Sequence, residues 1–210
     1  GNLLNDEEQI DINTKAAAES LDFYRDIVKD KQAVHPGSAN FDSVAAGLAF
    51  MNGEAAMMIN WFGFAAMCEV DGNSKVKGKI NVDLLPSNPN TNTASLNVYW
   101  LYTIAKGSKH KQLAYDFLRF AINEENDKQL TLAGGIGCRI STWNDPEINK
   151  IIPYYHKLEQ LHEVAKMLPQ TKKWAKIATI IDELVLKAIH TTNPTKEILA
   201  QAQTKINQIA

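Results

Sequence analysis

Five histidines, two cysteines and a scatter of carboxylates are the side chains here whose types could do chemistry, and their spacing argues against most of it. His35, His110, His156, His162 and His190 do not fall at metal-ligand spacing, and His162-Glu163 lacks the second histidine four residues on that a zinc-protease helix requires. Each reads as a neutral, solvated imidazole. Cys138 stands beside Arg139, and a neighbouring cation can favour the reactive thiolate, so a hydrolytic enzyme using Cys138 is one reading of the chain. No base accompanies it in sequence, and a nucleophile needs one. Gly134-Gly135-Ile136-Gly137 resembles a phosphate-cradling loop, yet it follows a helical pattern instead of joining a strand to a helix, and reads as a helix stop. Glu124, Glu125 and Asp127 fall in the first turn of an expected helix, where the helix dipole accounts for them. The expectation is no catalytic residue, no metal and no cofactor.

The aromatic residues carry more. Trp61, Tyr99, Trp100, Tyr102, Trp143 and Trp174 fall near expected element ends or in loops. A pocket lined by aromatics and a few amides binds neutral polar molecules such as sugars, by stacking and hydrogen bonding. Core packing is the competing explanation, favoured for Tyr102 and weaker for Trp100, whose neighbours Asn97 and Tyr99 are polar and amphipathic. Asn60 and Trp61 stand at the end of an apolar run, Ala55 to Ile59, with the character of a strand buried on both faces. Ligands bind beyond the carboxyl ends of such strands in open α/β sheets, so this pair either contacts a ligand or fills the core.

Positioning these residues falls to a helix-rich α/β chain. A 45% hydrophobic and 22% charged composition over 210 residues describes an ordinary globular protein with a sizeable core. A net charge of -2 gives no reason to expect nucleic acid or an anionic membrane surface as partner. No apolar run approaches the ~20 residues of a membrane span. The opening Gly1-Asn2-Leu3-Leu4 reads as the interior of a longer protein. Cys68 and Cys138 either pair in an oxidising compartment or act as small hydrophobes.

In chain order, Asn13 is the expected cap of a helix through Ala17, Leu21, Tyr24, Ile27 and Val28. A second helix ends near Asn52, stopped by Gly53, and a third spans Phe62 to Val70. Strands are expected at 55–59, 80–85 and, most strongly, 96–105, with a polar loop at 87–93 between the last two. Ser108 is the expected cap for 109–122, with Leu113, Ala114, Phe117, Leu118 and Ala121 inside; Asn123 caps the next helix, which Gly134 stops. Asp145-Pro146 and Asn193-Pro194 open later helices. Between them fall helices near 154–167 and 172–190, the second with a stripe of Trp174, Ile177, Ile181, Leu184 and Ala188.

Six phrases in order carry a likeness. FMNGEAAMMIN, INVDLLPSNP, YTIAKGSKHKQLAYDFLRFAINEENDKQLTLAGG, DPEINKIIP, LPQTKKWAKI and NPTKEILAQAQTKI resemble the bacterial extracellular solute-binding proteins of ATP-binding-cassette importers, in particular their carbohydrate-binding branch. The resemblance covers the later half of the family's chain. It implies a helix-rich α/β portion of a two-lobed, type II-like periplasmic-binding-protein fold, with residues 1–210 the carboxy-terminal portion, mainly the C-terminal lobe, and 79–138 belonging to the other lobe across hinge crossovers. It implies a periplasmic or extracellular, lipid-anchored protein that binds a carbohydrate, delivers it to a membrane permease and does no chemistry. The ligand contacts it implies are Trp61, Asn60, Trp100, Tyr99, Trp174 and Arg139. Another solute (a peptide, polyol phosphate or metal complex) is the alternative within that reading, and a helical interaction module that binds a protein through exposed aromatics is a further one.

Overall fold

A computed structural model describes residues 2–89 and 91–209. Its elements run α1 (Lys15–Lys29), α2 (Ser43–Met51), α3 (Phe62–Val70), β1 (Ser95–Leu96), α4 (Lys111–Ala121), α5 (Glu124–Leu132), α6 (Ile140–Trp143), α7 (Pro146–Ile151), α8 (Lys157–Glu163), β2 (Ala165–Lys166), α9 (Trp174–His190) and α10 (Thr195–Ile209). Local chemistry sets several boundaries. The cap of α1 is Thr14, whose side chain accepts from the Ala17 N–H, one residue later than expected. Asp42, Asn123 and Asp145 accept from first-turn N–H groups of α2, α5 and α7. Gly53 and Gly134 take positive φ values of 76° and 92° just past α2 and α5, the left-handed conformation that ends a helix at glycine.

The chain divides into two units, one of Gly1–Ala39 with Pro169–Ala210 and one of Asn40–Leu168; residues 79–138 fall within the second. In the first, α1, α9 and α10 bury Ile12, Leu21, Ile177, Leu184, Ala188, Ile198, Leu199, Ala202 and Ile206, with Trp174 and Ile181 packed against that cluster. The whole expected stripe of α9 therefore faces this core. Arg25 closes the C-terminal end of α9: its Nε donates to the Ala188 carbonyl at 2.7 Å and Nη2 to the Asn193 carbonyl at 2.9 Å. Gln203 on α10 accepts the Ile12 N–H at 2.8 Å, tying the segment before α1 to the last helix.

The second unit centres on Ala66, Trp143, Ile148, Ile152, Tyr154, Tyr155 and Leu158, with Phe62, Ile80, Val82 and Ile136 packed around them. β1 and β2 form a parallel pair in the register Ser95 with Ala165 and Leu96 with Lys166.

Three strand expectations, two packing expectations and one helix boundary are corrected here. Residues 55–59 form no strand, and Met57 is 88% exposed where burial on both faces was expected. Residues 80–85 keep the alternating burial of a strand, Ile80 and Val82 packing inward, but make no ladder. Of 96–105 only Leu96 pairs, and Trp100, Leu101 and Tyr102 are exposed, so Tyr102 is not a core residue. A strand is a relation between two segments, and among the described residues no second segment pairs with these three apart from β2 beside Leu96. α4 has the expected apolar stripe, yet Leu113 and Phe117 are exposed and the helix buries nothing fully. The helix near 154–167 contracts to α8, because Val164 leaves the helix to feed β2. The polar loop at 87–93 holds, with Asn90 outside the described residues.

Candidate ligand-contacting residues

Asn60 and Trp61 occupy the turn into α3. The Asn60 side chain is engaged on both sides: Nδ2 donates to the Ser43 carbonyl at 2.8 Å, and Oδ1 accepts the Trp61 N–H at 2.8 Å. The amide thus fixes the backbone that carries Trp61. The indole of Trp61 makes no capping bond and stands 48% exposed. Gly47 on α2 lets this corner form, because a Cβ there would come within 2.2 Å of the Phe64 ring on α3.

Tyr99 and Trp100 follow β1 on an extended segment. Tyr99 is 58% exposed, and its hydroxyl accepts from Asn97 Nδ2 at 2.9 Å. Trp100 is 97% exposed, so its indole faces are open to a stacking partner. Arg139 caps α6 in the same unit and donates from Nη2 to the Ile122 carbonyl, the C-cap of α4, at 2.6 Å. Trp174 belongs to the other unit, at the first position of α9, half-buried against the apolar cluster there. Asn60 and Trp61 are the two candidates that the structure joins by a direct hydrogen bond.

The glycine loop after α5 is a helix stop with its donors spent inside the protein. The Gly137 N–H donates to the Tyr155 hydroxyl at 2.9 Å and to Thr131 Oγ1 at 3.1 Å. Asp127 takes the next N–H groups, that of Cys138 at 2.9 Å and that of Arg139 at 3.4 Å. A phosphate would find these groups already bonded. Asp127 is the residue that sequence reasoning underrated: its place in a first turn is visible, but its reach to residues ten or more positions on is not. Trp143, read as a loop-end aromatic, is buried, donating from Nε1 to the Gly137 carbonyl at 2.7 Å and stacking on His162 at 4.6 Å.

Cys68 lacks the setting of a nucleophile. Both are free; Cys68 is buried, and burial, followed by the neighbouring Glu69 charge, pushes its thiol pKa up, against thiolate formation. Cys138 is exposed, with the Ile136 carbonyl 4.0 Å from its sulfur. Among the described residues no group of three or more His, Cys, Asp or Glu could hold a metal ion, and no helix is long and apolar enough to cross a membrane. The first unit contains an open apolar cavity of about 370 Å³, lined by Leu3, Ile12, Leu21, Tyr24, Ile181 and Leu199 among others and by none of the candidate contacts.

Comparison with known proteins gives one consistent answer. A profile of the family described as "Bacterial extracellular solute-binding protein" matches residues 1–128. A curated relative from Deinococcus radiodurans, described as a "Probable ABC transporter-binding protein", is 22% identical over 183 residues, covering 87% of this chain and 43% of the relative. The maltose-bound structure of MalE3 from T. maritima superposes on all of this chain with a TM-score of 0.90 at 21% identity, using 54% of its own residues. A solute-binding protein of an ABC transporter from Agrobacterium radiobacter K84, in complex with ribitol, gives 0.81 at 20% identity, again over all of this chain and 53% of its own. The chain therefore has the fold of the corresponding portion of these binding proteins, and it spans about half the length of the relatives it matches.

Proposed function

The chain belongs to the bacterial extracellular solute-binding proteins, and from that membership we propose that it is the carboxy-terminal portion of a receptor that binds a sugar or related polyol outside the cytoplasm and delivers it to the permease of an ATP-binding-cassette importer. The observation that carries the solute class is the set of aromatics held open to solvent: Trp61 on a backbone braced by Asn60, and Tyr99 and Trp100 on the segment after β1. Solvent-exposed aromatic faces are costly to leave bare, and the C–H faces of a pyranose or polyol are their natural complement. Maltose and ribitol in the two similar structures support the same class.

In this reading the protein does no chemistry. The solute makes better contacts with the closed than with the open state of a two-lobed receptor, residues 79–138 belonging to the second lobe, and the permease reads the closed state. Asn60 braces, Trp61, Tyr99 and Trp100 stack, and Arg139 offers donors to hydroxyl groups. A lipid anchor on the intact protein would keep it beside its permease. Isothermal calorimetry of the protein against a panel of mono- and disaccharides and polyols tests this. Binding heat with at least one of them is expected; silence across the panel together with heat from a peptide, a polyol phosphate or a metal complex would replace the solute class.

A further inference from the structure

Asp127 lies in the first turn of α5, and its carboxylate reaches out of that helix to the connection running into α6. Oδ1 accepts the Cys138 N–H at 2.9 Å, while Oδ2 accepts the Thr142 hydroxyl at 2.6 Å and the Arg139 N–H at 3.4 Å. Gly137 makes this approach possible: a Cβ there would stand 2.6 Å from Asp127 Oδ2 and 2.7 Å from Thr131 Oγ1. The loop lies nearer the carboxylate than a residue with a Cβ would permit. Two consecutive N–H groups held by one carboxylate fix the peptide planes on both sides of Cys138, and with them the direction in which the Arg139 side chain departs. The guanidinium lies on the surface with the Ile122 carbonyl as its acceptor among the described residues, reached by a single Nη2–H.

We propose that Asp127 is a positioning residue, which aims Arg139 so that the remaining guanidinium donors meet the hydroxyl groups of the solute; this rests on the sugar-binding reading above. A carboxylate suits the task because all three groups facing it are donors. An asparagine would offer one acceptor oxygen to three donors and set its own N–H bonds against them.

The test is a double-mutant cycle on the protein with maltose as the probe, and ribitol if maltose gives no heat, combined with amide exchange at Cys138 and Arg139. Asp127→Ala and Arg139→Ala are each expected to weaken binding about tenfold, with the double variant no weaker than Arg139→Ala alone, because Asp127 acts only through Arg139. Exchange of the two amides is expected to accelerate about tenfold or more in Asp127→Ala. Thr142→Val, which removes one donor and leaves both N–H bonds, is the milder variant should Asp127→Ala fold poorly, and a smaller change in the same two readouts is expected from it. Multiplied losses in the double variant, an Arg139→Ala protein that binds as before, or unchanged exchange would each overturn the proposal. If the unaltered protein binds neither probe, the saccharide or polyol of the panel that gives heat takes their place; silence across the whole panel fails the sugar reading on its own, and amide exchange then decides whether Asp127 holds the loop.

Discussion

The Tyr154 hydroxyl donates to the carbonyl of Ala65 at 2.7 Å, joining the turn before α8 to the middle of α3 across 89 residues of sequence. The same hydroxyl lies 3.4 Å from Oε1 of Glu69, a carboxylate only 3% exposed whose other oxygen accepts the Gly78 N–H at 2.8 Å. The Phe62 ring meets Tyr154 and Tyr155 edge-on, with centroids 6.1 and 5.5 Å away. Replacing Tyr154 by Phe keeps that packing and removes the donor, leaving the Ala65 carbonyl without its side-chain partner. The expected cost is about 2 kcal/mol in urea unfolding, within the range for a buried group that loses its hydrogen bond. A shift in the urea midpoint smaller than the measurement error would mean that solvent serves the Ala65 carbonyl instead.

The same corner makes stability depend on pH on the alkaline side. Burial, then the Glu69 charge, raises the Tyr154 pKa strongly, and burial also raises those of Tyr155 and Cys68. These groups are neutral in the fold and release protons more readily once unfolded, where the thiol titrates near ~8.5 and the phenols near ~10. Between those values and the higher folded ones the unfolded state binds fewer protons, so stability falls as pH rises. The urea midpoint is expected to hold from pH ~7 to ~8 and to drop steadily above pH ~9, with a shallower drop in Tyr154→Phe. On the acid side Asp145 works in the other sense. The Ile148 N–H, helped by Lys128, lowers its pKa, so its contribution is present above the usual carboxylate range and is lost as pH falls through the lower folded value.

Gly47 allows α2 and α3 to approach. A methyl group there would overlap the Phe64 ring at 2.2 to 2.9 Å, and both helices would have to separate or the ring leave its place. Gly47→Ala is expected to destabilise by about 2 kcal/mol, the usual cost of overpacking a well-filled contact. Gly72, whose Cβ would meet nothing within 4 Å, supplies the control, and Gly72→Ala should leave the urea midpoint nearly unchanged. Equal effects at the two sites would remove the steric explanation.

What the sequence made legible was what neighbouring residues decide. The caps at Asn123 and Asp145, the glycine stops at 53 and 134 and the α9 stripe from Trp174 to Ala188 are local or one-faced features, and all of them are found. Thr14 displaced Asn13 as the cap of α1 because two adjacent residues can both serve and the sequence does not rank them. The strands at 55–59, 80–85 and 96–105 were unreadable for the opposite reason. Their β-branched and aromatic residues record fitness for a sheet, while the ladder itself depends on a partner segment that composition does not name. For the candidate contacts, the residues left Trp61 between ligand and core and weakened core packing at Trp100, and both are exposed. The support was not legible: Asp127, Thr131 and Tyr155 are brought around Gly137 by the fold alone.

Trp174 and Trp61 are expected to separate in solution. Trp174 packs against the apolar cluster of α1, α9 and α10, whereas Trp61 opens α3 with its indole half exposed and free of any capping bond. Truncating the first removes half-buried ring area and leaves a defect beside Ile177, so Trp174→Ala should lower stability by about 2 kcal/mol. Truncating the second removes surface, so Trp61→Ala should change stability by less than about 0.5 kcal/mol. Binding should order the two the other way if Trp61 is a stacking face. Its loss is expected to weaken the best saccharide about tenfold, corresponding to about 1.4 kcal/mol. Urea unfolding and calorimetry on the same preparations read both quantities. A Trp61→Ala protein that binds as tightly as before would withdraw Trp61 from the contact set and leave Tyr99 and Trp100 as the aromatic faces to be tested next.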